Sequence, residues 1–327
     1  MIRARRSALV TMGLLAVIPC LANAQVSTRI RRIAWMGLGR PDVSSPYFET
    51  LRAALRDFGW IEERNLAIKQ YWNEGTLEDA ERMLPDVVAS APEVIVTQEF
   101  NAFAAQRLRA GIPVVFGFSG DPVDAGLVQS LAHPGGNLTG ISYLALDLVG
   151  KRIEIIKEMV PHTRRIALLA RPQHPGEHRE RKASEEAARR LGITLSYFPI
   201  RDLSEFDQTF RAIAQDRSNA LVVFPDSIMS ASRQRIVRFA TESKLPAISG
   251  WSVFAESGLL LSYGPNLRDL YRTLARYVDR VLRGTKPSEL PVELPRSVEF
   301  VVNARTATVL GIKIPQSILV RADKVIE

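Results

Sequence analysis

Residues 93–118 read EVIVTQEFNAFAAQRLRAGIPVVFGF, and this stretch decides the fold class. Residues 93–97 and 113–118 are short apolar runs with the length of buried strands. Residues 102–110, between them, carry alanine, leucine, glutamine and arginine, which favour a helix. Two buried strands joined by a helix form a βαβ unit, in which the strands run parallel. The stretch therefore predicts an α/β fold built on a parallel sheet.

The same alternation of strands and helices continues on both sides of this unit. Upstream, the pattern predicts strands at 32–38 and 65–71 and helices at 47–58 and 77–90. After Tyr143 it restarts, with helices at 146–159, 176–191, 204–215 and 230–243 and strands at 165–170, 194–198, 220–224 and 246–249. A last part holds a strand at 258–262, a long helix at 267–282 and an apolar segment at 297–302.

This organisation predicts two Rossmann-like lobes with parallel sheets, joined by crossover strands. We expect the first lobe over 25–142, completed by about 252–284, and the second over 143–251, completed by about 285–327. Ligands of open parallel sheets bind outside the carboxyl ends of the strands. Two such sheets facing each other predict a ligand cleft between the lobes, which closes by rotation about the crossing strands.

The composition is that of an ordinary globular protein, and its positive charge is partly concentrated at the N-terminus. The chain has 327 residues, of which 46% are hydrophobic and 24% charged, and its net charge is +8. These fractions exclude a disordered, collagen-like or coiled-coil chain. The basic residues outside the N-terminus are interspersed with acidic ones, which is typical of solvated helix faces. We therefore expect no nucleic-acid partner.

Residues 1–24 have the pattern of a cleavable secretory signal peptide. Arginines at 3, 5 and 6 precede an apolar run over 8–18 and the small-residue sequence Ala22-Asn23-Ala24. Cleavage after Ala24 would remove Cys20, the single cysteine, and lower the net charge to +5. Lipoprotein processing is less favoured because Pro19 precedes Cys20. The sequence thus predicts a soluble protein of the periplasm.

Spaced blocks along nearly the whole of 25–327 resemble one protein family. They are DPVDAGLVQSLAHPGGNLTG at 121–140, GLLLSYG at 258–264, YVDRVLRG at 277–284, PSELPVE at 287–293 and the tail at 303–327. In this order they resemble the ABC transporter substrate-binding protein family of the tryptophan/tyrosine type, with a type I periplasmic-binding-protein fold. The resemblance implies reversible capture of a small molecule by lobe closure and delivery to an ABC permease in the inner membrane.

The leading hypothesis is an exported solute-binding component of an ABC importer that takes an amino acid or related organic solute. An alternative is an exported sensor that presents the solute to a signalling receptor. A third possibility, a hydrolase or transferase, is disfavoured because the chain has no Gly-x-Ser-x-Gly elbow and loses its cysteine on cleavage. We expect a monomer without catalytic activity or cofactor. No metal site is expected either, because His174 and His178 have no third ligand near them in sequence.

The candidate ligand contacts are positions that follow predicted strand ends or lie near predicted crossings. They are Ser44, Ser45, Tyr47, Gln98, Glu99, Asn101, Ser119, Asp121, Tyr143, Arg171, Asp226, Trp251 and Tyr263.

A zwitterionic solute needs donors for its carboxylate and an acid for its ammonium group. Ser44 and Ser45 would supply donors, and Glu99 or Asp121 the acid. Arg171 would clamp a carboxylate, and Tyr143 and Trp251 would stack on a planar or apolar group.

Overall fold

The computed structural model describes residues 29–39, 46–73, 75–108 and 111–327. The predicted signal peptide, Ser44 and Ser45 lie outside these residues. The strands are β1 (Arg31–Leu38), β2 (Leu66–Asn73), β3 (Val94–Gln98), β4 (Val114–Phe118), β5 (Leu138–Ser142), β6 (Arg165–Ala170), β7 (Thr194–Pro199), β8 (Ala220–Val223), β9 (Ala247–Ser249), β10 (Leu261–Pro265), β11 (Val298–Asn303) and β12 (Lys324–Ile326). The α-helices are α1 (Pro46–Asp57), α2 (Leu77–Ala89), α3 (Phe100–Gln106), α4 (Leu146–Met159), α5 (Glu177–Arg190), α6 (Phe206–Gln215), α7 (Ser227–Ala231), α8 (Arg233–Glu242), α9 (Ser252–Glu256), α10 (Leu267–Leu282), α11 (Ala304–Leu310) and α12 (Gln316–Arg321).

The strands form two sheets, one in each lobe. In the described part of the chain, the first sheet has the order β2-β1-β3-β4-β5 and all of its neighbouring strands are parallel. The second has the order β12-β11-β10-β9-β8-β6-β7 and is parallel except where β10 meets β11. The predicted fold class, two parallel-dominated α/β lobes, is confirmed.

Both sheets have apolar strands because helices cover their two faces. All five residues of β3 and all five of β4 are buried, as expected of parallel strands enclosed on both sides. The long helix α10 has ten buried residues on one stripe and packs on α1 and on the first sheet. The predicted helix at 267–282 is therefore confirmed at both ends.

The chain passes between the lobes at three places within the described residues 142–298. It leaves the first sheet after Ser142, returns from β10 to α10 through Asn266, and enters the second sheet again at β11. Before the third passage, residues 290–293 lie along the edge of the first sheet, where the Thr139 hydroxyl donates to the Leu290 carbonyl oxygen at 2.6 Å. The Ser142 amide donates to the Glu293 carbonyl oxygen at 2.9 Å.

These pairings correct two of the expected lobe boundaries. We expected 252–284 to complete the first lobe, but β10 pairs with β9 and β11 in the second sheet. We also expected 285–327 to complete the second lobe, but residues 290–293 contact the first. Apolar periodicity identifies a strand without its neighbours, so it does not place the strand in one sheet or the other.

Elements near the crossings and the C-terminus differ most from the predictions. The strand β5 was not predicted, because Gly140 interrupts its apolar pattern. Gly140 is needed here, since a Cβ on it would lie 2.0 Å from the Phe116 carbonyl oxygen. The single helix expected at 230–243 is split at Ser232 into α7 and α8. The short elements α9, α11, α12 and β12 were also not predicted.

A backbone contact fixes the second passage between the lobes. A Cβ on Gly264 of β10 would lie 1.8 Å from the carbonyl oxygen of Gly250, which follows β9. No real Cβ contact is this short, and the obstacle is backbone, which cannot rotate away. Glycine at position 264 therefore allows β10 to reach the lobe boundary beside the end of β9.

We expect Gly264→Ala to lower the free energy of unfolding by about 2 to 3 kcal/mol through overpacking against this backbone. Chemical denaturation measures the loss. The control is Gly150→Ala in α4, where the nearest atom is the Ala187 methyl at 3.3 Å and alanine favours the helix by about 1 kcal/mol. Equal stability of Gly264→Ala and the wild type would contradict the close contact.

Candidate functional site

The carboxyl ends of the two sheets face each other across a narrow cleft. A side chain at Gly39, after β1, would meet the Cβ of Ala231 in α7 at 3.5 Å. A side chain at Gly75, after β2, would meet Ile228 of α7 at 3.2 Å. Since these residues belong to different lobes and are in near contact, the structure is a closed arrangement of the lobes.

One part of the cleft is an aromatic chamber, formed by both lobes. Trp251, after β9, meets the rings of Tyr47 and Tyr143 edge-on, with centroids 6.3 and 6.2 Å apart. Tyr271 of α10 stacks on Tyr143 at 6.1 Å and lies 5.4 Å from Tyr47. The chamber is lined by Trp35, Leu38, Tyr47, Trp72, Gln98, Ser227, Ser230, Ala231, Arg233, Trp251 and Tyr271.

Hydrogen-bond donors of this chamber lack partners. The indole nitrogens of Trp35 and Trp72 and the amide nitrogen of Gln98 are buried, and none bonds to another described residue. Buried polar groups in folded proteins are nearly always hydrogen-bonded, and an unsatisfied one costs about 1 to 3 kcal/mol. Three such N–H donors among aromatic rings suit a planar or apolar group that carries a hydrogen-bond acceptor.

Burial keeps the tyrosine hydroxyls neutral. It raises the pKa of Tyr47, Tyr143 and Tyr271 above the usual value for a phenol. The hydrogen bond with Ser252 lowers the pKa of Tyr47, and the hydrogen bond between Tyr143 and Tyr271 lowers that of Tyr271 and raises that of Tyr143, but burial is the largest cause for all three. Tyr143 is inserted over the first sheet, and a Cβ on Gly117 would lie 1.7 Å from its hydroxyl. The tyrosines therefore offer apolar faces and neutral hydroxyls rather than charge.

The second part of the cleft is a charged chamber next to the first. It is lined by Leu38, Gly75, Glu99, Phe100, Arg171, His174, Pro175, Asp226, Ser227 and Ile228. Leu38 and Ser227 line both chambers, so the two are contiguous.

Glu99 enters this chamber from the first lobe in a strained backbone conformation. It precedes α3 with φ of 49° and ψ of −125°, a region that residues other than glycine seldom adopt. Such strain costs about 1 to 3 kcal/mol and is concentrated at functional sites. Its Oε2 accepts hydrogen bonds from the Ser119 hydroxyl at 2.6 Å and the Ser119 amide at 3.2 Å. Its Oε1 is buried without a partner in the described residues.

Burial raises the pKa of Glu99 to about 6. The loss of hydration is the largest cause, and the nearby Asp226 carboxylate adds to it. His174 and the Ser119 hydrogen bonds act in the opposite direction because they stabilise the carboxylate. Near neutral pH the Glu99 carboxylate is therefore ionised, and its favourable contacts do not fully compensate for the hydration that it loses on burial.

The second lobe supplies an ion pair. Arg171 follows β6, and its Nη1 lies 3.8 Å from Oδ2 of Asp226, which follows β8. Asp226 caps α7, since its Oδ1 accepts a hydrogen bond from the Met229 amide at 2.6 Å. Both side chains are less than a tenth exposed. The long separation leaves the guanidinium with N–H groups for a further acceptor.

Other predicted contacts lie away from the two chambers. Asn101 donates to the Met36 carbonyl oxygen at 2.9 Å and accepts from Asn73 at 2.6 Å, so it ties β1 to β2. Ser119 positions Glu99 instead of lining a chamber. Tyr263 packs edge-on against Phe300 inside the second lobe.

Asp121 lies in a separate cavity beside the first passage between the lobes. Its Oδ2 accepts from Arg179 of α5 at 3.1 Å, and Arg179 also pairs with Asp124. These ion pairs link the two lobes and are partly exposed. The adjoining cavity has a volume of about 380 Å³ and does not include Glu99, Arg171 or Trp251.

The predicted positions that line the chambers are Tyr47, Gln98, Glu99, Arg171, Asp226 and Trp251. Tyr143 contacts the aromatic chamber through Trp251 and Tyr271.

The sequence did not predict the other residues of the chambers, among them Trp35, Trp72, Tyr271 and His174. Trp35 and Trp72 lie within strands, and Tyr271 lies on the apolar stripe of α10, so their pattern is that of core residues. His174 was considered only as a metal ligand, and no group of three or more potential metal-binding side chains occurs in the described residues.

No helix of the described chain has the length and apolar character needed to cross a membrane.

We expect Glu99→Gln to become more stable relative to the wild type as pH rises, in the absence of ligand. A raised folded-state pKa stabilises the protein below the unfolded value of 4.5, and this contribution is lost as pH rises through about 6. The difference in unfolding free energy should change by about 2 kcal/mol between about pH 4.5 and pH 7.5. Urea denaturation at both pH values measures it, and a pH-independent difference would contradict a buried carboxylate.

Comparisons with known proteins agree with this architecture. The family model described as "ABC transporter substrate binding protein" matches residues 45–326. A tyrosine-binding protein of Clostridioides difficile is 24% identical over 262 residues, covering 80% of this chain and 75% of the relative.

Two solved structures are similar over 91% of this chain and 100% of their own chains. A conserved domain protein of Vibrio cholerae is 26% identical, with a TM-score of 0.83. An ABC domain of Streptococcus pneumoniae in complex with L-Trp is 24% identical, with a TM-score of 0.81. The family match covers most of the chain and the two-lobed fold is shared, so the chain belongs to the ABC transporter substrate-binding protein family.

Proposed function

We propose that the chain is the exported solute-binding component of an ABC importer and that it captures an amino acid in the interlobe cleft. The observation that carries this proposal is the pair of contiguous chambers, one aromatic and one charged, formed by both lobes. An amino acid with an aromatic or large apolar side chain has the same division into an apolar and a charged end. The solutes named for the relatives, tyrosine and L-Trp, are of this class.

The proposed mechanism is closure of the two lobes on the solute. Trp35, Tyr47 and Glu99 belong to the first lobe, and Arg171 and Trp251 to the second, so a solute in the cleft contacts both lobes only when they are closed. Contacts made in one state alone shift the equilibrium between states by their free energy. Capture therefore stabilises the closed form, and delivery requires reopening.

Entry of a solute requires movement. The aromatic chamber has about 30 Å³ of free space, which is room for roughly two water molecules. An amino acid of the proposed class is several times larger. Separation of the lobes about the three passages, or rotation of rings such as Trp251 and Tyr271, would make the space available.

Solute capture at this site would leave the molecule chemically unchanged and pass it to a permease in the inner membrane. The family consists of extracytoplasmic binding proteins, and the basic and apolar pattern of residues 1–24 supports export through a cleavable signal peptide. We propose a monomer in the periplasm, without a cofactor or a nucleic-acid partner.

Thermal denaturation of the purified protein with each common amino acid tests the solute class. We expect L-tyrosine or L-tryptophan to raise the melting temperature, because a ligand at a hundredfold excess over its Kd stabilises the folded state by about 2.7 kcal/mol. Recovery of the solute intact is checked by chromatography. Stabilisation by no amino acid, or conversion of the bound one, would contradict the proposal.

A pair of tryptophan variants tests the location. We expect Trp251→Ala to weaken binding by about tenfold or more, because the ring spans the chamber between Tyr47 and Tyr143. The control is Trp60→Ala, since Trp60 donates to Asp279 at 2.8 Å within the first lobe and lies outside both chambers. Isothermal titration calorimetry gives both dissociation constants. Equal weakening by the two variants would place the solute elsewhere.

A further inference from the structure

The charged chamber holds more carboxylates than guanidinium groups in the closed structure. Glu99 and Asp226 each contribute a carboxylate, and Arg171 contributes a guanidinium. Arg171 forms an ion pair with Asp226. Glu99 therefore has no cation in direct contact among the described residues. A buried carboxylate in this position is costly unless a positive group reaches it.

His174 does not contact the Glu99 carboxylate directly in the described residues. Its Nδ1 accepts a hydrogen bond from the Gly176 amide at 3.2 Å. Its Nε2 is buried and has no hydrogen-bond partner in the described part of the chain. This nitrogen is therefore available to a carboxylate oxygen of the solute.

The groups that face Glu99 come from both lobes. Ser119, after β4, donates twice to Oε2. His174, after β6, and Asp226, after β8, approach from the second lobe. The side chains of Tyr143 and Tyr271 also interact electrostatically with Glu99. None of these groups forms a hydrogen bond with Oε1 in the described part of the chain.

We propose that Glu99 is the specificity-determining residue of the cleft and that its Oε1 binds the ammonium group of the solute. This inference rests on the proposed capture of an amino acid and deepens it. The solute carboxylate would then lie against the free N–H groups of Arg171 and His174, and the side chain in the aromatic chamber. The cleft therefore selects α-amino acids over analogues that lack the amino group.

Binding should consequently depend on pH in one direction. An ammonium group binds the ionised form of Glu99, whose pKa of about 6 lies close to neutrality. As pH falls through this value the carboxyl is protonated, its charge is lost, and solute affinity decreases. The Glu99→Gln variant has no titrating group at this position, so its affinity should not follow this curve.

Titration calorimetry with L-tryptophan, indolepropionate and tryptamine tests the inference on the wild type and on Glu99→Gln. Indolepropionate lacks the amino group of tryptophan, and tryptamine lacks its carboxylate. L-tyrosine, hydroxyphenylpropionate and tyramine form a parallel series. We expect the wild type to prefer the amino acid over the propionate by about tenfold or more, since a charge-assisted bond to a buried partner is lost without the ammonium.

Glu99→Gln should weaken amino-acid binding by about tenfold or more and leave propionate binding within about twofold, so that the preference disappears. The control is Asp279→Asn, which removes a similarly buried carboxylate in the first lobe. That carboxylate accepts from Trp60 and Arg283 and lies outside both chambers. Wild-type selectivity should be retained in this control.

Three outcomes would overturn the inference. Equal affinity of wild type and Glu99→Gln for the amino acid would remove Glu99 from recognition while leaving the proposed function intact. Equal weakening of the amino acid and the propionate would assign Glu99 to packing of the cleft alone. Absence of wild-type binding to both amino acids would overturn the proposed solute class and this inference together.

Discussion

The fold depends on backbone approaches that only glycine permits where the chain passes between the lobes. Gly264 and the Gly250 carbonyl oxygen, and Gly140 and the Phe116 carbonyl oxygen, leave no volume for a Cβ. These contacts bring the last strands of each sheet up to the boundary, so that the carboxyl ends of both sheets meet across one cleft.

The cleft contains two kinds of buried polar group that lack a hydrogen-bond partner. The free-energy cost of burying them bears more directly on ligand binding than the shape of the cleft does. Indole and amide donors without partners surround the aromatic rings, and a carboxylate with one free oxygen lies beside them. Each group is expensive to bury in the closed protein. Closure without a solute is therefore opposed by these groups, and a solute with complementary charges removes the penalty. In the proposed mechanism, this free-energy difference couples binding to lobe motion.

Ion pairs join the two lobes at the passage beside Asp121. Arg179 joins Asp121 and Asp124 across the lobes through partly exposed ion pairs, which contribute about 1 kcal/mol or less. A second close contact lies next to it, since a Cβ on Gly176 would be 2.7 Å from the Ser119 carbonyl oxygen. The close backbone contact thus limits how far the lobes can approach at this edge, and the weak ion pairs link the lobes there.

The sequence by itself determined the fold class, because the repeat of apolar strands and amphipathic helices allows little else than parallel sheets. It also located the strand ends where Glu99, Arg171, Asp226 and Trp251 are found, since ligand contacts follow the carboxyl ends of such strands. Tertiary structure alone decided which of these meet. Asn101 and Tyr263 satisfy the same positional rule as Glu99, yet one bonds to the backbone of β1 and the other packs on Phe300. Trp35 and Tyr271 have the pattern of core residues and line the aromatic chamber because the two lobes meet there. The direction of a side chain and the approach of a distant segment depend on packing between lobes, which no local pattern encodes.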